Sequence, residues 1–347
     1  MGTKYKGYMG NMLKVDLTTG RTEEFDVTDR DREMYLGGKG IAAKLLHDLN
    51  RPGVDPLSPE AVMVVNTGPL TGSMAPCTSR FNISAKSPAT GGIGNANSGG
   101  NFGLQLKRCG YDALVITGKA EKPVMISITE DSVEIEDASN MWGKNTEEAQ
   151  EMMDKRAGRL VIGPGGENLV KFGCIMSGER VCGRCGLGAV MGSKNLKAVQ
   201  AKGSIKIPIA DHEGFKKLEK QWREVLKGHP ITGDSVPKYG TAEFLNKLSI
   251  SHTLPTKNFD RGHYEHSEKI SGEELTEKYL VKNTGCVSCP IRCGRIVELD
   301  GKKVRGPEFE TLGMFGSNML VDSIPKVSEW NRQMDLLGID TISCGGV

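Results

Sequence analysis

No run of apolar residues in this 347-residue chain approaches the ~20 that span a bilayer. The opening Met1-Gly2-Thr3-Lys4-Tyr5-Lys6 has no apolar core of the secretory-signal kind, and a cytoplasmic location is expected. Neither sign of charge is in excess. Lys+Arg at 45 against Asp+Glu at 43 leave a formal net charge of +2, which provides no footing for a nucleic-acid or membrane partner. Histidine is sparse, at six: His47, His212 and His229 read as solvated helix or turn residues, and His252, His263 and His266 fall in a loop-like segment. Cysteine occurs nine times, an odd number, which in a reducing compartment points to metal ligation rather than disulfides. Glycine is the excess. Forty-five glycines in an otherwise ordinary composition imply many tight turns, or backbone pressed close to something large.

The most legible chemistry lies in residues 285–294, Gly-Cys-Val-Ser-Cys-Pro-Ile-Arg-Cys-Gly. Cys286, Cys289 and Cys293 stand at C-x2-C-x3-C spacing, so a tight loop can turn three thiolates toward one centre. Pro290 stiffens that loop and removes a donor. An iron–sulfur cluster is normally held by thiolates; zinc, completed by His263 or His266, is the rival. The cluster is preferred because no C-x2-C or H-x3-H partner follows downstream.

Taken in order, residues 8–16 and 21–27 read as a hairpin about Thr18-Thr19-Gly20, and Thr28 as the cap of a short helix. Gly37-Gly38-Lys39-Gly40 precedes a helix over 41–49 and lacks the G-x4-G-K-[ST] of a phosphate loop. Strands are predicted at 61–66, 80–86, 113–117, 124–128, 133–135, 159–162 and 170–176, with helices at 104–108 and 146–156. Residues 87–103, rich in glycine and asparagine, read as a loop that cradles a phosphate-bearing cofactor. Residues 178–194 read as another glycine-rich loop, with Arg180, Arg184 and Lys194 suited to an anion. Cys182 and Cys185 form a C-x2-C there, as consistent with packing as with redox or metal chemistry, while Cys77, Cys109 and Cys174 are isolated. Helical patterns dominate later, at 211–226, 241–248, 272–279 and 328–337, which places a boundary near residue 210.

Gly7-Tyr8-Met9-Gly10, Leu17-Thr18-Thr19-Gly20, Tyr35-Leu36-Gly37-Gly38-Lys39-Gly40, Thr67-Gly68-Pro69-Leu70-Thr71-Gly72, Asn97-Ser98-Gly99-Gly100, residues 163–168, residues 188–196 and the cysteine loop carry a resemblance. In that order they are similar to the tungsten-containing aldehyde:ferredoxin oxidoreductase family. The resemblance implies an α+β fold: a two-sheet β domain with pseudo-twofold symmetry (1–210), then a mostly helical domain (211–347) that is incomplete at its C-terminus. It implies tungsten, or molybdenum, held by two molybdopterins bridged by Mg2+, with a [4Fe–4S] cluster beside one pterin. Arg80, Asn97, Gly99 and Arg180 fall where the family contacts the pterin phosphates and the magnesium, with Asn97 and Val181 offering carbonyls to that ion. Asp335-Leu336-Leu337-Gly338-Ile339-Asp340 matches a D-x-x-G-L-D pterin motif with isoleucine for leucine, so Asp335, Gly338 and Asp340 join the cofactor set. Glu310 falls at a glutamate beside the metal, with Glu308 as the alternative.

The implied reaction is oxidation of an aldehyde to a carboxylic acid, with electrons passing through the cluster to ferredoxin. A homodimer is compatible with the resemblance. The rivals are a family member acting on another substrate, such as an aromatic thioester, and a non-catalytic metal-binding scaffold. The family's second pterin motif, its fourth cluster cysteine and a histidine near the metal have no counterpart up to Val347, and Cys344 lies too close to the first motif to serve. A partial sequence is therefore expected.

Overall fold

A computed structural model describes residues 2–347, which divide into two compact units. One holds the chain up to Lys216 together with Leu336–Ile339; the other holds Lys217–Asp335 and Asp340–Val347.

In the first unit the chain opens with the hairpin β1 (Met12–Asp16) and β2 (Arg21–Phe25). Thr28 and Asp31 then form a capping box on α1 (Asp29–Tyr35), satisfying two end amides reciprocally. After α2 (Lys39–Leu49) come β3 (Met63–Thr67), β4 (Phe81–Lys86), β5 (Ile93–Ser98), α3 (Phe102–Arg108) and β6 (Ala113–Thr117). These strands form a sheet of order β2-β1-β6-β3-β4-β5, parallel only between β1 and β6. The chain then repeats itself. It runs through β7 (Val124–Ile128), β8 (Val133–Asp137), α4 (Thr146–Glu151), β9 (Gly158–Val161), α5 (Pro164–Glu167), β10 (Ile175–Ser177), β11 (Arg180–Cys182), α6 (Leu187–Ser193) and β12 (Leu196–Ala201). The second sheet has order β8-β7-β12-β9-β10-β11, parallel only between β7 and β12.

The two sheets therefore correspond strand for strand, β1 with β7 through β6 with β12. Gly68-Pro69 follows β3 and Gly163-Pro164 follows β9; α3 opens on Phe102-Gly103 and α6 on Leu187-Gly188. Both helix glycines pack against the start of the fourth strand of their half. A Cβ on Gly103 would lie 3.0 Å from the Phe81 Cβ and 3.5 Å from the Arg80 carbonyl, and one on Gly188 would lie 2.5 Å from the Cys174 carbonyl. One apolar core joins the two sheets, drawing Leu13, Ile83 and Leu114 from one and Ile126, Leu160 and Val199 from the other, with Phe102 of α3 and Val190 of α6. On the remaining face of the first sheet, α2 buries Ile41, Ala42, Leu45 and Leu46 against Val64 and Val115.

Residues 87–103 are not one loop. They include β5, which pairs with β4 along its whole length, and the start of α3. Asparagine and glycine are poor strand formers, yet Gly94 is required there, since a Cβ would stand 2.9 Å from that of Cys185. Likewise residues 178–194 contain β11 and α6. The strand expected over 170–176 shrinks to Ile175–Ser177, and the helix expected to reach residue 156 ends at Glu151.

The second unit is largely helical: α7 (His212–Gly228), α8 (Val236–Tyr239), α9 (Phe244–Ile250) and α10 (Gly272–Lys278) precede a three-stranded sheet. That sheet has β14 (Gly294–Leu299) between β13 (Leu280–Thr284) and β15 (Lys302–Arg305). Next come α11 (Phe309–Thr311), a π-helical turn over Leu312–Gly316, α12 (Ile324–Leu337) and α13 (Thr341–Gly346). Leu245, Leu275, Val297, Leu312, Phe315 and Val327 form its core. α7 buries none of its residues, and Leu218, Trp222 and Val225 stand exposed along it. Among the described residues no helix is long and apolar enough to cross a membrane.

Candidate functional site

Three asparagines lie in one row across the first sheet. Asn66 of β3 is paired with Asn82 of β4, and Asn82 with Asn97 of β5. Directly opposed residues share a face of the sheet, so this face is polar at its edge, although Asn66 and Asn82 are each only 1% exposed. Arg80, immediately before β4, reaches across to Asn97: Nε donates to the side-chain oxygen at 2.5 Å and Nη2 to the main-chain oxygen at 3.1 Å. Gly99 is buried just beyond β5, and a Cβ on the next residue, Gly100, would lie 3.6 Å from Cγ of Arg180. Strands β5 and β11 approach each other here. The structure thus brings Arg80, Asn97, Gly99, Arg180 and Val181 into one region of the first unit. Asn97 opposes the second residue of β4, Asn82, and Val181 opposes the second residue of β10, Met176. The duplication makes Asn97 and Val181 counterparts, which is the placement a ligand bridging the two halves requires.

A cavity of about 320 Å³ opens beside Arg80, with Gly38, Asn66, Asn82 and Asn97 in its wall. Asn66 Nδ2 and Asn82 Oδ1 are buried without hydrogen-bond partners. An orphaned buried polar group costs about 1–3 kcal/mol, so these atoms fit a wall built to hold a polar ligand. Lys107 holds that wall in place: fully buried, it donates to the carbonyls of Gly68 at 3.1 Å and Pro69 at 3.4 Å, and to that of Gly7. Sequence reasoning passed over Asn66, Asn82 and Lys107. The available signal was an asparagine in each of two predicted strands, 61–66 and 80–86.

In the second unit the loop between β13 and β14 carries Cys286, Cys289 and Cys293, all half-buried. Ser288 and Arg292 adopt positive φ of 60° and 50°, tightening the loop, and Cys289 N–H donates to the Cys286 carbonyl at 3.1 Å. Cations surround it. Arg223 donates to Ser288 Oγ at 2.7 Å, Arg292 to the Asn283 carbonyl at 2.9 Å, and buried Arg295 to the carbonyls of Val236 and Pro237. Soft thiolates ringed by guanidinium groups fit an anionic iron–sulfur cluster. Among the described residues, no three His, Cys, Asp or Glu side chains converge on a single point. The zinc alternative draws no support from the histidines: His263 Nδ1 lies 3.1 Å from Ser249 Oγ, and His266 stands edge-on to Tyr264.

The remaining residues are distributed differently. Gly338, with φ of 68°, ends α12 as its position predicted. Its carbonyl accepts from the Cys174 N–H at 2.8 Å, and Ile339 bridges to Gly173. Asp335 is held by Arg305, whose Nη1 lies 2.8 and 3.0 Å from the two carboxylate oxygens. Asp340 caps α13, accepting from the N–H groups of Ile342 and Ser343. Glu310 is exposed on α11, while Glu308 accepts from Thr241 Oγ1 at 2.8 Å. In the C-x2-C of the first unit, burial pushes the Cys182 thiol up to about 12, which makes it a packed, unreactive group. Cys185 is half-buried and carries a positive φ of 71°.

Residues 12–203 match the family model of the aldehyde ferredoxin oxidoreductase N-terminal domain, and residues 217–347 match that of its domains 2 and 3. The chain is 45% identical to a tungsten-containing aldehyde ferredoxin oxidoreductase of Pyrococcus furiosus and 44% identical to one of Thermococcus kodakarensis. Each alignment covers 98% of this chain, and the chain spans 57% of each relative's length. A solved structure described as the active-site complex BamBC of benzoyl coenzyme A reductase with 1,5-dienoyl-CoA superposes with a TM-score of 0.86. It is 29% identical, over 98% of this chain and 55% of its own.

Proposed function

Because this chain belongs to the aldehyde ferredoxin oxidoreductase family, we propose that it is the cofactor-gripping, cluster-bearing part of a cytoplasmic enzyme that oxidises an aldehyde to a carboxylic acid and delivers the electrons to ferredoxin. The cofactor in this reading is tungsten held by two pterins bridged through Mg2+, and once bound it supplies the two-electron chemistry. The chain's own residues supply grip, orientation and proton control. Arg80 and Arg180 would pair with the pterin phosphates through charge-assisted bonds, each contributing about 1.5–3 kcal/mol. Asn97 and Val181 would turn main-chain oxygens to the Mg2+, a hard cation that prefers oxygen. Arg80 now occupies both oxygens of Asn97, and its move onto a phosphate would free them.

Asp340 is committed to the start of α13, so Asp335, once released by Arg305, is the better acceptor for pterin amines, with Gly338 setting the turn between them. Cys286, Cys289 and Cys293 would hold the [4Fe–4S] cluster. Glu310 would take the proton released as a water oxygen adds to the aldehyde carbon, and Glu308, fixed by Thr241, stands as its neighbour. The observation that supports this reading most is the equivalent placement of the Asn97 and Val181 main chains in two duplicated sheets, with Arg80 and Arg180 beside them. The thioester-reducing alternative draws on the benzoyl coenzyme A reductase complex, whose identity to this chain is the lower.

The test is metal and pterin analysis of protein purified without oxygen. The expected result is tungsten with pterin and iron in the parent, and a severalfold fall in tungsten and pterin in both Arg80→Ala and Arg180→Ala while the far-ultraviolet dichroism stays the same. Undiminished cofactor in both variants would sink the assignment.

A further inference from the structure

The strand pair that carries the cysteine loop is rich in cations and has no carboxylate of its own. From Tyr279 to Val297 the chain holds Lys282, Arg292 and Arg295 and no Asp or Glu. Lys282 and Arg292 are exposed, where solvent and salt screen them. Arg295, the second residue of β14 and two beyond Cys293, is only 4% exposed. None of its hydrogen bonds ends on a carboxylate. Nη1 donates to the carbonyls of Arg292 and Gly294, both at 3.2 Å, and Nη2 to those of Val236 and Pro237 at 2.9 and 3.1 Å. Nε is buried and has no partner among the described residues.

Four neutral carbonyls fix the plane of this guanidinium without cancelling its charge. A buried cation left in that state is costly unless an anion stands close by. Burial lowers the pKa of Arg295, while the Glu308 carboxylate and Cys293 act in the opposite direction. The geometry agrees at Cys293. A Cβ added at Gly240 would lie 3.1 Å from the Cys293 carbonyl and 3.2 Å from Arg295 Nε, so the unpartnered N–H and the backbone of a loop cysteine border one gap. Glu308 in turn accepts from Thr241, the residue after Gly240.

We propose that Arg295 is a fixed counter-charge for the cluster on Cys286, Cys289 and Cys293, raising its midpoint potential so that it accepts the electrons of the reaction. The inference rests on the iron–sulfur reading of that loop. Arg295 keeps its proton in both redox states. Each one-electron reduction therefore adds one negative charge beside a cation that neither moves nor titrates. A protein sets a cluster's potential through charge, hydrogen bonds and burial, and Arg295 supplies charge where water does not screen it. Glu308 is its counterweight, a carboxylate that offsets part of the guanidinium's field.

The test is a redox titration of protein purified without oxygen, with dithionite as reductant and the reduced cluster followed by electron paramagnetic resonance. Arg295→Gln should lower the reduced-to-oxidised ratio at a fixed potential about tenfold, a fall of about 59 mV in the midpoint for one electron. Arg295→Lys, which keeps the charge and gives up the fork, should stay within about threefold of the parent. Glu308→Gln, which removes the counterweight, should move the ratio about threefold the other way. It carries the test alone if the Arg295 variants do not fold with their iron. An arginine that only braces the loop would cost stability or iron without this pattern of signs. An unmoved midpoint in Arg295→Gln or Glu308→Gln, or an equal fall in Arg295→Gln and Arg295→Lys, overturns the proposal. Iron absent from the parent would remove the cluster reading itself; iron present with unmoved midpoints removes this inference alone.

Discussion

The two sheets of the first unit share strand order, strand direction and even the glycine that opens the helix before the last strand, yet they are furnished for different work. The first ends in Arg80, Asn97 and a donor-lined cavity. At the corresponding place the second has Cys174, whose N–H is taken by the Gly338 carbonyl. One topology thus presents an open polar site in one copy and, in the other, a strand start strapped by a backbone hydrogen bond. Symmetry accounts for where Asn97 and Val181 stand; the departures from it account for what each half can hold.

The largest effect should come from the matched helix glycines. At Gly188 an added Cβ meets a backbone carbonyl 2.5 Å away, whereas at Gly103 it meets side-chain carbons at 3.0 and 3.2 Å first. Gly188→Ala should therefore cost about 3 kcal/mol or more and Gly103→Ala about 1–2 kcal/mol in chemical denaturation. Equal costs would mean that the two halves pack alike after all.

A smaller effect is expected from Lys194, buried in the turn before β12 with Nζ 3.1 Å from the Pro59 carbonyl and 3.2 Å from that of Gly118. Lys194→Met should cost about 1–3 kcal/mol by stranding those oxygens. Burial holds this amine down to about 8 from its ordinary 10.5. Between those values the unfolded chain binds more protons than the folded one, so this residue makes stability rise with pH, by at most about 1.4 kcal/mol per unit. Denaturation midpoints taken across that window should rise less steeply in Lys194→Met than in the parent; parallel curves would remove Lys194 as the source. The smallest effect belongs to the C-x2-C pair. Cys185→Ser should leave stability within about 0.5 kcal/mol and Cys182→Ser should cost about 1–2 kcal/mol. Iron content should be unchanged in both, and a fall would make this pair a cluster ligand.

Much of this was legible in the sequence. Thr28 announced its helix cap, Gly338 a helix end, and the alternating runs their strands. The turn between β13 and β14 that carries Cys286, Cys289 and Cys293 was legible too, because Gly285, Pro290 and Gly294 mark it locally. β5 was hidden because its composition, rich in glycine and asparagine, is that of a loop. It is a strand because β4 offers a full ladder and because Gly94 must pass Cys185 closely. The short β11 and α6 were hidden in the same way. The duplication was present only as Gly-Pro after β3 and β9 and a glycine at the second position of two helices, too faint to separate from ordinary turns. The cavity could not be read at all, because it depends on strand register, which brings Asn66 beside Asn82, and register is a long-range property.

The four residues Leu336–Ile339 belong to the first unit although everything around them in sequence belongs to the second. That excursion makes the first unit dependent on a distant stretch of its own chain. Cutting the polypeptide after Lys216 would leave the Cys174 N–H without the Gly338 carbonyl. It would also uncover Gly163 and Gly165, which are tailored to the backbone of Leu337 and Gly338. During synthesis the start of β10 and the turn after β9 must accordingly wait, uncovered, until more than a hundred further residues have emerged. A peptide spanning Leu336–Ile339, supplied separately, should be able to cover them.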